Sequence, residues 1–212
     1  MWGLVENNEI KKIINKPKGL VIGDTRHSRN IFSFRWTNEE REAIGIYEVE
    51  FNNSNKRDEN FYINTNQSFN FADGVATASF GSATAKALAD SFWTQEEIDD
   101  LELEAGDLEA GDLKVEGLKT KHKRIIKQQA SSLLTANDWY VIKATDVESY
   151  SVPSAVTTYR ANVRTKSNTM ETAIDNASDV DALATLYQYV NTGTEENPVM
   201  ERPLGEFPTL EV

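Results

Sequence analysis

The apolar residues of this chain follow two different periods, and the change between them limits the fold more than any other feature. Before residue 82 they come in short runs, alternating in places, bounded by Asn, Gly and Pro. After residue 117 they recur at helical spacing. The switch predicts an α+β protein: a small β-rich N-terminal domain with one short helix, then an α-helical C-terminal region and an extended tail. The boundaries read as a β-rich domain over 1–82, a helix and acidic linker over 83–117, a helical domain over 118–190 and a tail over 191–212.

Local signals place the elements. Trp2–Glu6 and Ile10–Ile14 flank Asn7-Asn8, a hairpin turn of residues that tolerate positive φ. Leu20–Ile22 reads as a strand, Gly23–Asn30 as a polar irregular loop, and Ile31–Trp36 as an apolar and aromatic run. Thr37-Asn38-Glu39-Glu40 is a capping box that opens a short helix ending at Gly45. Ile46–Phe51 alternates as a strand. Phe61–Ile63, Ser68–Phe71 and Val75–Phe80 are strands too, the last two joined by Asp73-Gly74.

Ala83–Trp93, rich in alanine, reads as a helix. Then Glu104-Ala-Gly-Asp-Leu108 repeats as Glu109-Ala-Gly-Asp-Leu113, too short a duplication for a solenoid. Its carboxylates could face a cation, but they lack the order of a helix–loop–helix calcium site. Leu118, His122, Ile125, Ile126, Gln129, Ala130, Leu133 and Leu134 share one face of an amphipathic helix. Trp139–Ile142 follows as an aromatic block. Pro153 begins another helix with Val156, Tyr159 and Val163 inward, and Ser167 and Ser178 read as caps of two more. The last of these would carry Leu183, Leu186, Tyr187 and Val190 on one face. Pro198, Pro203 and Pro208 keep 191–212 extended.

Charge narrows the function. The net charge of -12 opposes non-specific nucleic-acid binding. Residues 94–116 hold ten acids against Lys114 alone, and Lys119, Lys121, Lys123, Arg124 and Lys127 follow without an acid between them. This reads as an acidic linker beside a solvated basic helix face; the alternative is a charge-coded docking surface. The absence of cysteine removes disulfides, thiolate metal sites and Cys nucleophiles, and fits a protein made in a reducing cytoplasm. No apolar run is long enough for a bilayer, and the first residues do not read as a signal peptide. His27 and His122 are the only histidines. Ser28 near His27 lacks the glycines of a nucleophile elbow, and no phosphate loop is present. The expectation is therefore no enzyme, no cofactor and no metal site.

The segment Ile126-Lys-Gln-Gln-Ala-Ser-Ser-Leu-Leu-Thr-Ala-Asn-Asp138-Trp139-Tyr140, followed by Tyr159-Arg160-Ala-Asn-Val-Arg164, resembles the tail and tail-fibre assembly proteins of tailed bacteriophages. Trp2-Gly-Leu-Val5, Lys16-Pro-Lys18 and Trp36–Tyr47 resemble the front domain of such proteins. The tail departs from the pattern, with Phe207-Pro208 where the family often has Trp-Pro. The resemblance spans about half the chain and contains no catalytic signature. It implies a non-enzymatic structural or adaptor protein of the virion tail, made in the host cytoplasm, that binds another tail or tail-fibre protein. The alternative is a transient assembly chaperone absent from the mature particle. A hydrolase of the host envelope is a third, weaker reading. Self-association is a further expected partner mode; nucleic acid and membrane are not expected. The candidate partner-binding residues are Trp139, Tyr159, Arg160, Met200, Leu204, Phe207 and Leu210.

Overall fold

The structure is a computed structural model, described here for residues 1–101 and 108–210. The first copy of the duplicated acidic motif lies almost wholly outside the described residues. The chain divides into two compact units, Met1–Thr84 and Ala85–Val212, and is α+β in class.

The first unit contains β1 (Trp2–Glu6), β2 (Glu9–Ile14), β3 (Leu20–Ile22), β4 (Thr25–His27), a 3-10 turn at Arg29–Phe32, α1 (Asn38–Glu42), β5 (Ile46–Asn52), β6 (Tyr62–Ile63), β7 (Gln67–Ala72), β8 (Val75–Phe80) and, at its end, β9 (Thr84–Ala85). Five strands form one sheet in the order β2-β1-β5-β8-β7, with β5 and β8 parallel and the other neighbours antiparallel. The end strands β2 and β7 approach each other, so the sheet curls. Its turns are the predicted ones. Asn7 and Asn8 have φ of 53° and 61°, and Asp73 and Gly74 have 53° and 79°, matching the twist of the strands they join. Both halves of the Thr37–Glu40 capping box form. Gly45 has φ of 80° and its carbonyl accepts from the Val5 amide at 2.8 Å; a Cβ there would stand 2.7 Å from the Val5 carbonyl oxygen.

Alternation along the strands produces two apolar clusters. Leu4, Ile14, Leu20, Ile31 and Ile46 gather on one side, with Trp2, Phe32 and Trp36 against them. Val49, Ala76 and Ala78 gather on the other, with Tyr47, Phe69 and Phe71. One difference from the sequence reading lies at 23–30: Thr25–His27 pairs with Leu20–Ile22 as a hairpin instead of wandering as a loop.

The second unit contains β10 (Ser91–Phe92), α2 (Gln95–Asp99), β11 (Leu113–Val115), α3 (Leu118–Thr135), α4 (Asp138–Asp146), α5 (Ser154–Asn176), α6 (Val180–Thr185), β12 (Val190–Asn191) and β13 (Met200–Glu201). The helix expected over 83–93 is absent, and the reason is non-local. The carbonyls of Ala87 and Leu88 accept from the first amides of α3, those of Leu118 and Lys119, at 2.9 and 3.0 Å. Asp90 adds the Gly117 amide at 2.6 Å and the Thr120 hydroxyl at 2.9 Å. This segment caps another helix, and its carbonyls are spent there rather than on a ladder of its own. The helix in this region is α2, opened by a second capping box, Thr94 with Glu97. Lys114 of β11 binds the Glu97 carboxylate and holds it below the usual carboxylate range.

Helices α3 and α5 form the core of this unit. Leu118, His122, Ile126 and Ala130 face inward from α3, and Val156, Tyr159, Val163, Ser167, Met170 and Ile174 from α5. Ser167 does not cap a helix. It lies buried inside one continuous helix of 23 residues, with its hydroxyl on Glu171. The cap of α6 is Asp179, one residue beyond the expected Ser178, and Val190 sits in β12 rather than on that helix. The basic stretch also has an internal use. Lys123 pairs with Asp175 at 2.7 Å, Lys127 with Glu171 at 3.3 Å, and Lys119 Nζ donates to the Asp175 carbonyl at 2.8 Å. Numbers rise along α3 as they fall along α5, so the two helices are antiparallel with matched charge.

The tail is not extended. Its strands β12 and β13 pair as a hairpin, and the chain then returns to the helices. The Leu204 amide donates to the Leu186 carbonyl at 3.0 Å and the Leu204 side chain is 2% exposed. The prolines interrupt strand and helix without preventing apolar residues from finding the α3–α5 core.

Candidate functional site

The segments 126–140 and 159–164 meet at the corner where α3 ends, α4 begins and α5 passes. Asn137 caps the corner: it is buried, and its Nδ2 donates to the Leu133 carbonyl at 3.0 Å. Arg160 of α5 reaches in with a guanidinium fork. Nη1 donates to the Leu134 carbonyl at 2.7 Å, and Nη2 donates to Asp138 Oδ1, also at 2.7 Å. The Arg160 side chain is 12% exposed against 48% for Asp138, so the pair is buried on one side only. Asp138 also occupies the first turn of α4, where a carboxylate suits the helix dipole.

The seven candidate residues separate into two groups. Tyr159 is buried against Ala130 and Val163, and Leu204 is buried outright; neither offers a surface to a partner. Arg160 is committed to Leu134 and Asp138. Phe207 and Leu210 lie half-buried on the Ala130–Tyr159–Val163 cluster, so they complete the unit's own core. Trp139 and Met200 remain outside, at 50% and 56% exposure.

Trp139 belongs to a larger feature that the sequence reading missed. Helix α4 buries none of its residues, and Val141 and Ile142 are exposed beside Trp139. The Trp139 and Tyr140 rings stack with centroids 3.8 Å apart, and Lys143 lies over the rings of Trp139 and Tyr150. The signal was the unbroken Trp-Tyr-Val-Ile run: on a helix, four consecutive apolar residues point in all directions, and a single core cannot take them all. Met200 has similar company in the exposed Tyr189, Val190 and Val199.

Among the described residues, two of the open grooves along α3 border other elements. One, of about 490 Å³, runs between Lys127, Ser131, Thr135, Arg160, Arg164 and Asn168. The other, of about 530 Å³, lies between Ile125, Gln129, Leu133, Arg202 and Phe207. Neither contains a histidine or a nucleophile–base pair. His122 is buried with its Nδ1 2.9 Å from the Tyr187 hydroxyl, whose pKa burial pushes up to about 12. His27 lies in β4 edge-on to Trp36, and Ser28 caps the 3-10 turn by accepting from the Asn30 amide. Among the described residues no cluster of His, Asp or Glu is arranged to hold a metal ion, and no helix is long and apolar enough to cross a membrane. No family model, curated protein or solved structure matches this chain.

Proposed function

We propose that the chain is a non-enzymatic structural or adaptor protein of a bacteriophage tail, and that α4 is the surface by which it holds another tail or tail-fibre protein. The observation supporting this reading is the exposure of Trp139, Val141 and Ile142 on a helix with no buried residue, at a corner anchored by Arg160 and Asn137. A rigidly mounted aromatic and aliphatic face loses little entropy on docking, and desolvating it supplies the drive. The motif residues divide the work: Asp138 and Arg160 set the angle of α4, and Trp139 meets the partner.

The test is quantitative mass spectrometry of purified particles, with wild-type chain and with Ile142→Glu. Stoichiometric recovery of the wild type, and loss of incorporation by the variant with an unchanged melting temperature, is the expected result. Absence of the wild-type chain from particles would overturn the reading in favour of a transient assembly chaperone. Normal incorporation of Ile142→Glu would remove α4 as the contact.

A further inference from the structure

Beyond α6 the chain makes an excursion that buries nothing. Every residue from 188 to 201 is exposed, Tyr189, Val190, Val199 and Met200 among them. The excursion returns to where it started, since the Leu204 amide donates to the Leu186 carbonyl at 3.0 Å. It is folded on itself as the β12–β13 hairpin. The Thr192 amide donates to the Val199 carbonyl at 2.8 Å, and Asn191 Oδ1 accepts from the Gly193 and Val199 amides at 3.0 and 2.9 Å. The segment that follows, 204–210, is a strap over the helices. Leu204 is buried, and Phe207 and Leu210 are half-buried on Ala130, Tyr159 and Val163. Pro203, Glu206 and Thr209, each one position earlier, are exposed. One side chain in three therefore faces the cleft between α3 and α5.

The strap is held by side chains rather than by backbone. Among the described residues, the Leu204 amide makes its only backbone hydrogen bond to the helical body. The Arg202 guanidinium donates to the Gly205 carbonyl and to Glu206, within the strap's own turn. Beside Phe207 an open groove of about 530 Å³ remains against α3. Three apolar residues lifted out and seated in an identical cleft lose no burial, and the excursion has none to lose. Only its exposed hydrogen bonds are given up to water. Opened, residues 187–203 span roughly 55 Å, more than the length of α5, which is roughly 35 Å. The hairpin is long enough to become a linker to a neighbour.

We propose that the strap is exchanged between two copies of this chain: the β12–β13 hairpin opens into a linker, and each strap seats Leu204, Phe207 and Leu210 in the α3–α5 cleft of the other copy. The occupant is a second copy because the cleft already fits this strap at its spacing of three. A second copy carries the same strap and the same cleft, so the exchange closes with two-fold symmetry. The net charge of -12 on each copy opposes their approach, so exchange increases with added salt. The proposal does not depend on the role given to α4, and Ile142→Glu leaves the strap untouched.

The sequence has no cysteine, so an introduced disulfide can lock the hairpin. Asn191 and Met200 face each other across it, and the Thr192–Val199 bond makes theirs a non-hydrogen-bonded pair, within disulfide reach. Sedimentation velocity of the full chain should show a dimer that grows with protein concentration and with salt. The double variant Asn191→Cys with Met200→Cys should stay monomeric when oxidised and dimerise once reduced. A labelled peptide of residues 202–210 reads the cleft directly by fluorescence anisotropy. It should bind the full chain bearing Phe207→Ser roughly 10-fold or more tightly than the wild type, because the resident strap no longer competes. The same change in the peptide should abolish binding, and saturating peptide should raise the melting temperature of the variant chain. Leu210→Ala, a milder change, gives the same reading where Phe207→Ser does not fold. A wild type that stays monomeric at every concentration, a dimer that survives oxidation of the cysteine pair, or a peptide that binds neither strap variant would each overturn the proposal.

Discussion

Arg160→Met separates the architecture of the α3–α4–α5 corner from the charge pair within it. Methionine keeps most of the aliphatic stem and removes two charge-assisted hydrogen bonds, to the Leu134 carbonyl and to Asp138. Hydrogen bonds to charged groups contribute about 1.5–3 kcal/mol each. The two acceptors suffer unequally. Asp138 is half exposed and regains water, so its share is at the low end. The Leu134 carbonyl keeps local amides, that of Asn137 at 3.0 Å and that of Ala136 at the helix end. The sum for Arg160→Met is a loss of about 3 kcal/mol. Asp138→Asn leaves the Leu134 bond intact and should cost about 1 kcal/mol. The double variant should fall short of additivity by about 1 kcal/mol, the coupling of the pair. For a unit the size of Ala85–Val212, about 3 kcal/mol lowers the melting temperature by about 10 °C. Far-ultraviolet circular dichroism follows this transition, because the long helices all lie in this unit. A loss below about 1 kcal/mol for Arg160→Met, or equal losses for the two single variants, would show that the Arg160–Leu134 tether does not hold the corner.

Three further outcomes test other parts of the fold. Leu204→Ala should cost about 3 kcal/mol in the same melt, since the side chain is 2% exposed; a loss below 1 kcal/mol would return the tail to the role of a free arm. Gly117→Ala should cost a similar amount, about 3 kcal/mol, because its Cβ would stand 2.2 Å from the backbone of Ala89; a neutral result would show that 87–90 yields without cost to α3. Tyr187, neutral in the fold up to about pH 12, deprotonates in the unfolded chain near its ordinary value of 10, so its contribution is complete below pH 10 and is lost as pH rises to about 12. Discounted for partial solvent access, that contribution is about 1–2 kcal/mol. Urea titrations across this range should show a steeper alkaline decline for the wild type than for Tyr187→Phe, and parallel declines would refute the assignment.

Much of this protein was readable without its structure because turns and caps are settled by adjacent residues. Asn7-Asn8, Asp73-Gly74, the Thr37–Glu40 box and Gly45 each form what their chemistry requires, since the donors and acceptors lie within a few positions of one another. Thr94 and Glu97 carry the same signal, next to the apparent helix at 83–93. The amphipathic faces of α3 and α5 were equally legible from their period. Only tertiary structure decided where non-local partners intervene. Ala87–Asp90 gives up helical propensity, worth at most tenths of a kcal/mol per residue, to cap α3 from outside it. Arg41 turns from an ordinary surface residue into the tie of the Phe34 loop because three carbonyls converge on it. The candidate binding residues divide for the same reason. Burial belongs to the packed chain rather than to the residue, so Leu204 and Tyr159 vanish into the core while Trp139, Ile142 and Phe34 stay outside it.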